Sequence, residues 1–187
     1  MTLVMMAPVV APWVRAYATL VEPTPATRAW SSTLPFVAGY ALLWAAFALV
    51  MALLQLALAS AGALAGDRLT GVAGSAVLVG AGLFQFAPVK RACLTHCRNP
   101  LSYFLVRWRN GPPSGVRLGL GHGLFCLGCC WALMLASFAL GTMHLGWMAV
   151  LTAVMALEQI APWGAALGRA FGAGLVALGV WRLVLPG

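Results

Sequence analysis

Residues 36–65 read FVAGYALLWAAFALVMALLQLALASAGALA, and no position in this stretch carries a charged side chain. An α-helix rises about 1.5 Å per residue, so about 20 apolar residues cross the hydrocarbon core of a bilayer. A helix also satisfies its own backbone polar groups, as lipid requires. We therefore expect this stretch to cross a membrane as a helix.

The rest of the chain has the same apolar character. Of its 187 residues 63% are hydrophobic and only 7% are charged, whereas about 25% of the residues of a soluble domain are charged. Long continuous apolar runs favour helices over the alternating strands of a membrane barrel. The composition predicts an all-α fold: a polytopic transmembrane helical bundle that forms one membrane domain over residues 1–187, with the lipid bilayer as its main partner.

Five segments are apolar and long enough to be spans. They are residues 36–65, 69–87, 116–140, 145–161 and 165–185. Residues 3–21 are a weaker sixth candidate, because the segment is short and contains Pro8 and Pro12. We expect residues 88–115 to form a basic loop, in which residues 99–110 have the mixed aromatic, aliphatic and arginine composition of a short interfacial helix.

The distribution of charge predicts an orientation for this bundle. The chain has 11 Lys and Arg against 3 Asp and Glu, a net charge of +8. The loop over residues 88–115 holds Lys90, Arg91, Arg98, Arg107 and Arg109. Because basic loops face the cytoplasm, we place this loop inside and the turn at Asp67 outside. Anionic lipid accounts for the basic excess, so we predict no nucleic-acid partner.

The first cysteine motif lies in this loop. Within CLTHC, Cys93 and Cys97 are four residues apart and share one face if the segment is helical, with His96 beside them. Two thiolates and an imidazole together are suited to binding a metal ion.

The second cysteine motif lies inside the predicted span over residues 116–140. In GHGLFCLGCCWALM, helical geometry brings His122, Cys126, Cys129 and Cys130 within an arc of about 100°. An isolated cysteine in a membrane helix is ordinarily a small hydrophobic residue. Three within five residues, near a second cluster, indicate metal or redox chemistry.

The span over residues 145–161 holds a secondary set of candidate ligands. His144, Met148, Met155 and Glu158 fall on one helix face. Thioether, imidazole and thiolate donors suit a soft ion, so the sequence favours copper, followed by zinc. The open alternatives are that the methionines only pack, and that Glu158 pairs with a loop arginine or reaches the lipid headgroups.

Three stretches, FQFAPVKRACLTHCRNPLSYF, GHGLFCLGCCWALM and GWMAVLTAVMALEQ, resemble an uncharacterised bacterial family of predicted metal-binding integral membrane proteins. MMAPVVAPWVRAYA near the start is similar to that family's Met-Met-x-Pro segment. The resemblance implies a bacterial cytoplasmic membrane location. It also implies a shared centre, which carries over to the cysteines of both motifs and to His96, His122 and Glu158.

These observations lead to one main hypothesis and two alternatives. The main one is a membrane protein that handles or inserts Cu(I) or Zn²⁺, bound through Cys93, Cys97, Cys126 and Cys129 or Cys130, with His122. A metallochaperone would then be a natural partner. One alternative is a membrane thiol–disulfide oxidoreductase that uses Cys126 and Cys129. The other is an accessory subunit or assembly factor that binds other membrane subunits. No Ser-His-Asp set or carboxylate pair indicates hydrolytic catalysis.

Overall fold

The computed structural model describes residues 2–21, 26–66, 68–69, 71–107, 112–141 and 144–184. The regular structure in this part of the chain is helical apart from one small hairpin, which confirms the all-α prediction. The helices are α1 (Thr2–Val21), α2 (Ala26–Ser60), α3 (Gly71–Phe84), α4 (Pro88–Cys97), α5 (Pro100–Arg107), α6 (Pro112–Leu140), α7 (Leu145–Ile160) and α8 (Gly164–Val184). Strands β1 (Leu64–Ala65) and β2 (Arg68–Leu69) pair antiparallel.

Four of the described helices, α1, α2, α6 and α8, are long and apolar enough to cross a membrane. Helices α3 and α4 reach that length only together, and they are bent by 63° at the break between them. Helix α7 is a shorter apolar helix of 16 residues. The segment regarded as the weaker candidate is thus a full helix, α1, with Pro8 and Pro12 inside it.

The first long helix ends five residues earlier than the apolar run does. Helix α2 stops at Ser60 because the chain then turns through Gly62 and Gly66, whose φ angles are 69° and 66°. This left-handed conformation suits glycine, and it directs the chain into the hairpin. The predicted outer turn at Asp67 lies outside the described residues.

The segment expected to be a basic loop, residues 88–115, is mostly helical and packs on α6. The Tyr103 hydroxyl donates a hydrogen bond to the Leu118 carbonyl over 2.9 Å. Lys90 is buried rather than exposed as a loop charge, because it finds polar partners inside the bundle. Arg109 and its neighbours over residues 108–111 lie outside the described residues.

Helix α6 is the centre of the bundle and contacts α2, α3, α4 and α7. The closest approach is to α2, where a Cβ at Gly119 would overlap the backbone of Phe36. The residues buried around α6 form one core cluster that contains Cys97, Cys126, Cys129 and Cys130. The fold therefore gathers most of the cysteines inside the bundle.

Candidate metal centre

The second cysteine motif lies on the buried face of α6. Cys126, Cys129 and Cys130 are all at most 1% exposed. The sulfurs of Cys129 and Cys130 are 3.4 Å apart. Cys126 is 14 residues from each end of α6, or about 21 Å at 1.5 Å per residue. Cys126 is therefore at the middle of α6, and Cys129 and Cys130 follow within about one turn.

One thiol of the first motif joins them. Cys97 is the last residue of α4 and is buried in the same core cluster, where its side chain interacts with that of Cys129. All five cysteines of the chain are free thiols. The structure thus brings together four of the five predicted cysteine ligands, from two helices.

Helix α7 contributes an amide to the same cluster. The Gln159 Nε2 atom lies 3.8, 3.9 and 3.9 Å from the sulfurs of Cys126, Cys129 and Cys130. The Tyr40 hydroxyl of α2 is 3.5 Å from the Cys126 sulfur. Because this amide nitrogen is almost equidistant from the three sulfurs, all three sulfurs face the same point. Sequence reasoning missed both residues, and only the rarity of a glutamine in an apolar helix could have indicated Gln159.

His122 lies one helical turn before Cys126 and is completely buried. Neither of its ring nitrogens has a hydrogen-bond partner. Its ring is stacked 3.7 Å from the Trp13 ring and 5.4 Å from the Tyr40 ring, centroid to centroid. Each unsatisfied buried polar group costs about 1–3 kcal/mol. An imidazole held flat between aromatic rings, with both nitrogens unpartnered and a thiol one turn away, is suited to ligating a soft metal ion.

Helix α1 holds two parts of this site in place. Trp13 Nε1 donates a hydrogen bond to the Cys97 carbonyl over 3.0 Å, and the same indole ring covers His122. Trp13 was not a candidate, because its segment was the weaker of the predicted spans and tryptophan is not a metal ligand.

The other two members of the first motif lie further out. Cys93 is half-buried, and a Cβ on Gly128 would come within 2.9 Å of its sulfur. His96 is exposed, with its Nδ1 atom 2.9 Å from the Ala92 carbonyl and its ring stacked on Phe125 at 4.5 Å. His96 is therefore beside the thiol cluster rather than within it.

The secondary candidates on α7 do not form one site. His144 is exposed and caps the helix, accepting a hydrogen bond at Nδ1 from the Trp147 backbone over 3.3 Å. Met155 is fully buried in the core that holds the thiols, and Met148 packs at its edge. Glu158 is 14 residues beyond His144, about 21 Å along the axis.

Glu158 has a charged partner inside the bundle. Its two carboxylate oxygens accept hydrogen bonds from Lys90 Nζ over 2.7 and 2.8 Å, and Lys90 also donates to Gln85. Both charged side chains are at most 3% exposed. The partner of Glu158 is therefore a lysine and not the expected loop arginine or lipid headgroup. Both oxygens of the carboxylate are occupied by this ion pair.

The cysteines of this cluster are arranged as protonated thiols and not as thiolates around a metal ion. In the described part of the chain, no group of three or more His, Cys, Asp or Glu side chains is already spaced to hold a metal ion. The sulfurs donate to one another and to backbone carbonyls, as the 3.1 Å bond from Cys129 to the Cys126 carbonyl shows. Binding a metal ion would require these thiols to lose their protons and rotate toward a common point.

Comparison with known proteins gives an independent observation that bears on the metal. Residues 1–182 match the model of a family described as PpoB2, copper chaperone. The chain belongs to this family. No match was found among curated proteins or solved structures.

Membership of the PpoB2 copper chaperone family supports a role in copper handling, in agreement with the copper predicted from the sequence. Zinc has no such support. The donors of the buried cluster, thiols and an imidazole, are of the types that bind copper.

Proposed function

We propose that this chain is a membrane-embedded chaperone for Cu(I), which it carries on Cys97, Cys126 and Cys129, with Cys130 and His122 as further donors. The observation that carries the proposal is His122, completely buried with two unpartnered ring nitrogens, one turn from Cys126. The copper ion is the cargo of this site rather than a resident cofactor.

Family membership favours Cu(I) over Zn²⁺ as the ion of this cluster. Thiolate and imidazole donors suit copper, and every sulfur of the cluster is almost fully enclosed, so a bound ion would be held away from water.

The surface of the bundle supports insertion in a bilayer, which we propose to be the bacterial cytoplasmic membrane with the basic α4–α5 segment on its inner side. The apolar window of α2 over Thr33–Ser60 has a mean hydropathy of 2.3, and only 6% of it is buried within the protein. Contiguous apolar surface of this kind is unusual on a soluble monomer.

Elemental analysis of anaerobically purified protein, together with a count of free thiols, tests the proposal. We expect about one copper per chain, and loss of that copper in Cys126→Ser with expression unchanged. The matched control is Cys93→Ser, which makes the same chemical change at a half-buried position, and we expect it to keep its copper. Full copper content in Cys126→Ser would refute the assignment.

A redox function remains the second candidate, because the Cys97 and Cys129 side chains contact each other across two helices. A thiol–disulfide oxidoreductase would bind no copper and would form a reversible disulfide in oxidant. Alkylation followed by mass mapping distinguishes this from a copper site, in which bound metal protects the thiols.

A further inference from the structure

A surface cleft lies between α4 and α5, on the outer side of the thiol cluster. Its volume is about 330 Å³, which is at the small end of the range for small-molecule sites. The residues that line it are Thr95, His96, Asn99, Ser102, Tyr103, Val106 and Arg107. None is acidic, and Arg107 carries a permanent positive charge. The cleft therefore suits a small anion.

His96 lines this cleft and keeps one metal-binding nitrogen free. Its Nδ1 atom lies 2.9 Å from the Ala92 carbonyl, and a carbonyl oxygen can only accept a hydrogen bond. The proton of the neutral ring must therefore be on Nδ1, which leaves a free lone pair on Nε2. A backbone carbonyl that fixes the tautomer in this way is the usual support of a metal-ligating histidine.

A single aromatic ring separates the cleft from the buried thiols. Phe125 stacks on His96 at 4.5 Å and lies 5.4 Å from the Arg107 guanidinium. It also packs against the core cluster that contains the thiols, and Cys126 follows it in the chain. On the other side, His96 is followed directly by Cys97. The cleft and the thiol cluster are therefore connected at two places in the chain, where Phe125 precedes Cys126 and His96 precedes Cys97.

We propose that this cleft is the loading site of the protein, where an anionic complex of Cu(I) with a small, carboxylate-bearing thiol binds and passes its copper first to His96. This inference rests on the proposed copper site and adds the form in which the cargo arrives. Arg107 attracts the anionic complex, and the polar side chains of Thr95, Asn99 and Ser102 offer hydrogen bonds to its carboxylates.

The transfer is a ligand exchange without oxidation or reduction. One copper–sulfur bond to the donor breaks as one copper–nitrogen bond to His96 Nε2 forms, and the donor thiolate leaves with its charge. When the ion moves inward, the copper–nitrogen bond to His96 and any remaining bond to the donor break as copper–sulfur bonds to the cysteines form, and each of those cysteines releases one proton to a departing donor thiolate or to water. Copper remains Cu(I) throughout.

The test is the rate of copper uptake by the full chain in detergent from two donors, the anionic Cu(I)–glutathione complex and the cationic Cu(I)–acetonitrile complex. The variant His96→Phe keeps the stack on Phe125 but removes the nitrogen, and we expect it to load at least about tenfold more slowly from both donors. Arg107→Gln should load about tenfold more slowly from the anionic donor only. The control Arg91→Gln removes the same charge from an exposed position of α4 outside the cleft and should change neither rate.

Final copper content should equal that of the wild type in all three variants. Unchanged rates in His96→Phe, equal slowing of Arg107→Gln with both donors, or a reduced final copper content in His96→Phe would each overturn the loading site. Failure of the proposed function would look different, because the wild-type protein itself would then hold no copper at equilibrium.

Discussion

Gly168 of α8 is a position at which one added methyl group should disturb a buried ion pair. A Cβ there would overlap the Glu158 carboxylate at Oε1 and lie 2.9 Å from its Cδ. That carboxylate is buried and paired with Lys90. Gly168→Ala must therefore push Glu158 away from its partner or force α7 and α8 apart.

The magnitude follows from two opposing effects. Alanine is favoured over glycine in a helix interior by about 1 kcal/mol. Separating a buried ion pair costs about 3–5 kcal/mol, since it leaves an uncompensated charge. We expect Gly168→Ala to lower the free energy of unfolding by about 2–4 kcal/mol. Gly174 lies on the same helix with nothing within 4 Å of its Cβ position, so Gly174→Ala should leave stability unchanged or raise it by up to about 1 kcal/mol.

Denaturant titration in detergent micelles, followed by circular dichroism, measures both values. The difference between the two alanine variants removes the shared effect of helix propensity and isolates the contact with Glu158. If Gly168→Ala proved as stable as Gly174→Ala, the packing of α8 on the buried ion pair would be refuted.

Three further predictions concern the surroundings of the thiols. Lys90→Met should cost about 3–5 kcal/mol because it strands Glu158, whereas the double variant Lys90→Met, Glu158→Leu should cost less; a double-mutant cycle of unfolding free energies checks this, and additive losses would contradict the pairing. Trp13→Phe removes the donor to the Cys97 carbonyl and should lower unfolding free energy by at least about 0.5–1.5 kcal/mol, so an unchanged titration would exclude a stabilising role for that bond. His122→Phe removes two unpartnered nitrogens and should stabilise the copper-free protein by about 1–3 kcal/mol, while competition with a Cu(I) chelator should show weaker binding. A less stable copper-free protein with unchanged affinity would contradict the role given to His122.

The sequence was sufficient for the features that depend on local periodicity. Apolar runs predicted that the chain is helical, and the spacing of Cys126, Cys129 and Cys130 on one helix predicted that they share a face. His122 was expected on that face for the same reason, and the structure buries it beside Cys126. These are relations within a single helix, where 100° per residue fixes the geometry.

Relations between helices could not be derived in the same way. Helical spacing placed Cys93 and Cys97 on one face, but it could not show that Cys97 alone would reach the Cys129 thiol. The polarity of the segment around Lys90 predicted a loop. Its burial could not be predicted, because Glu158, the partner that compensates the buried charge, is 68 residues away in the sequence. Pairing of this kind depends on how whole helices pack.

The position of Cys97 at the end of α4 has a mechanical consequence. A metal ion held jointly by Cys97 and Cys126 would close a loop of about 30 residues and tie α4 to α6, much as a disulfide does. The ion can be bound only after α6 has been synthesised and docked, so cargo would be acquired by the finished fold. The loaded and empty forms would then differ in how firmly the end of α4 is anchored, and an acceptor protein could distinguish them by stiffness as well as by metal content.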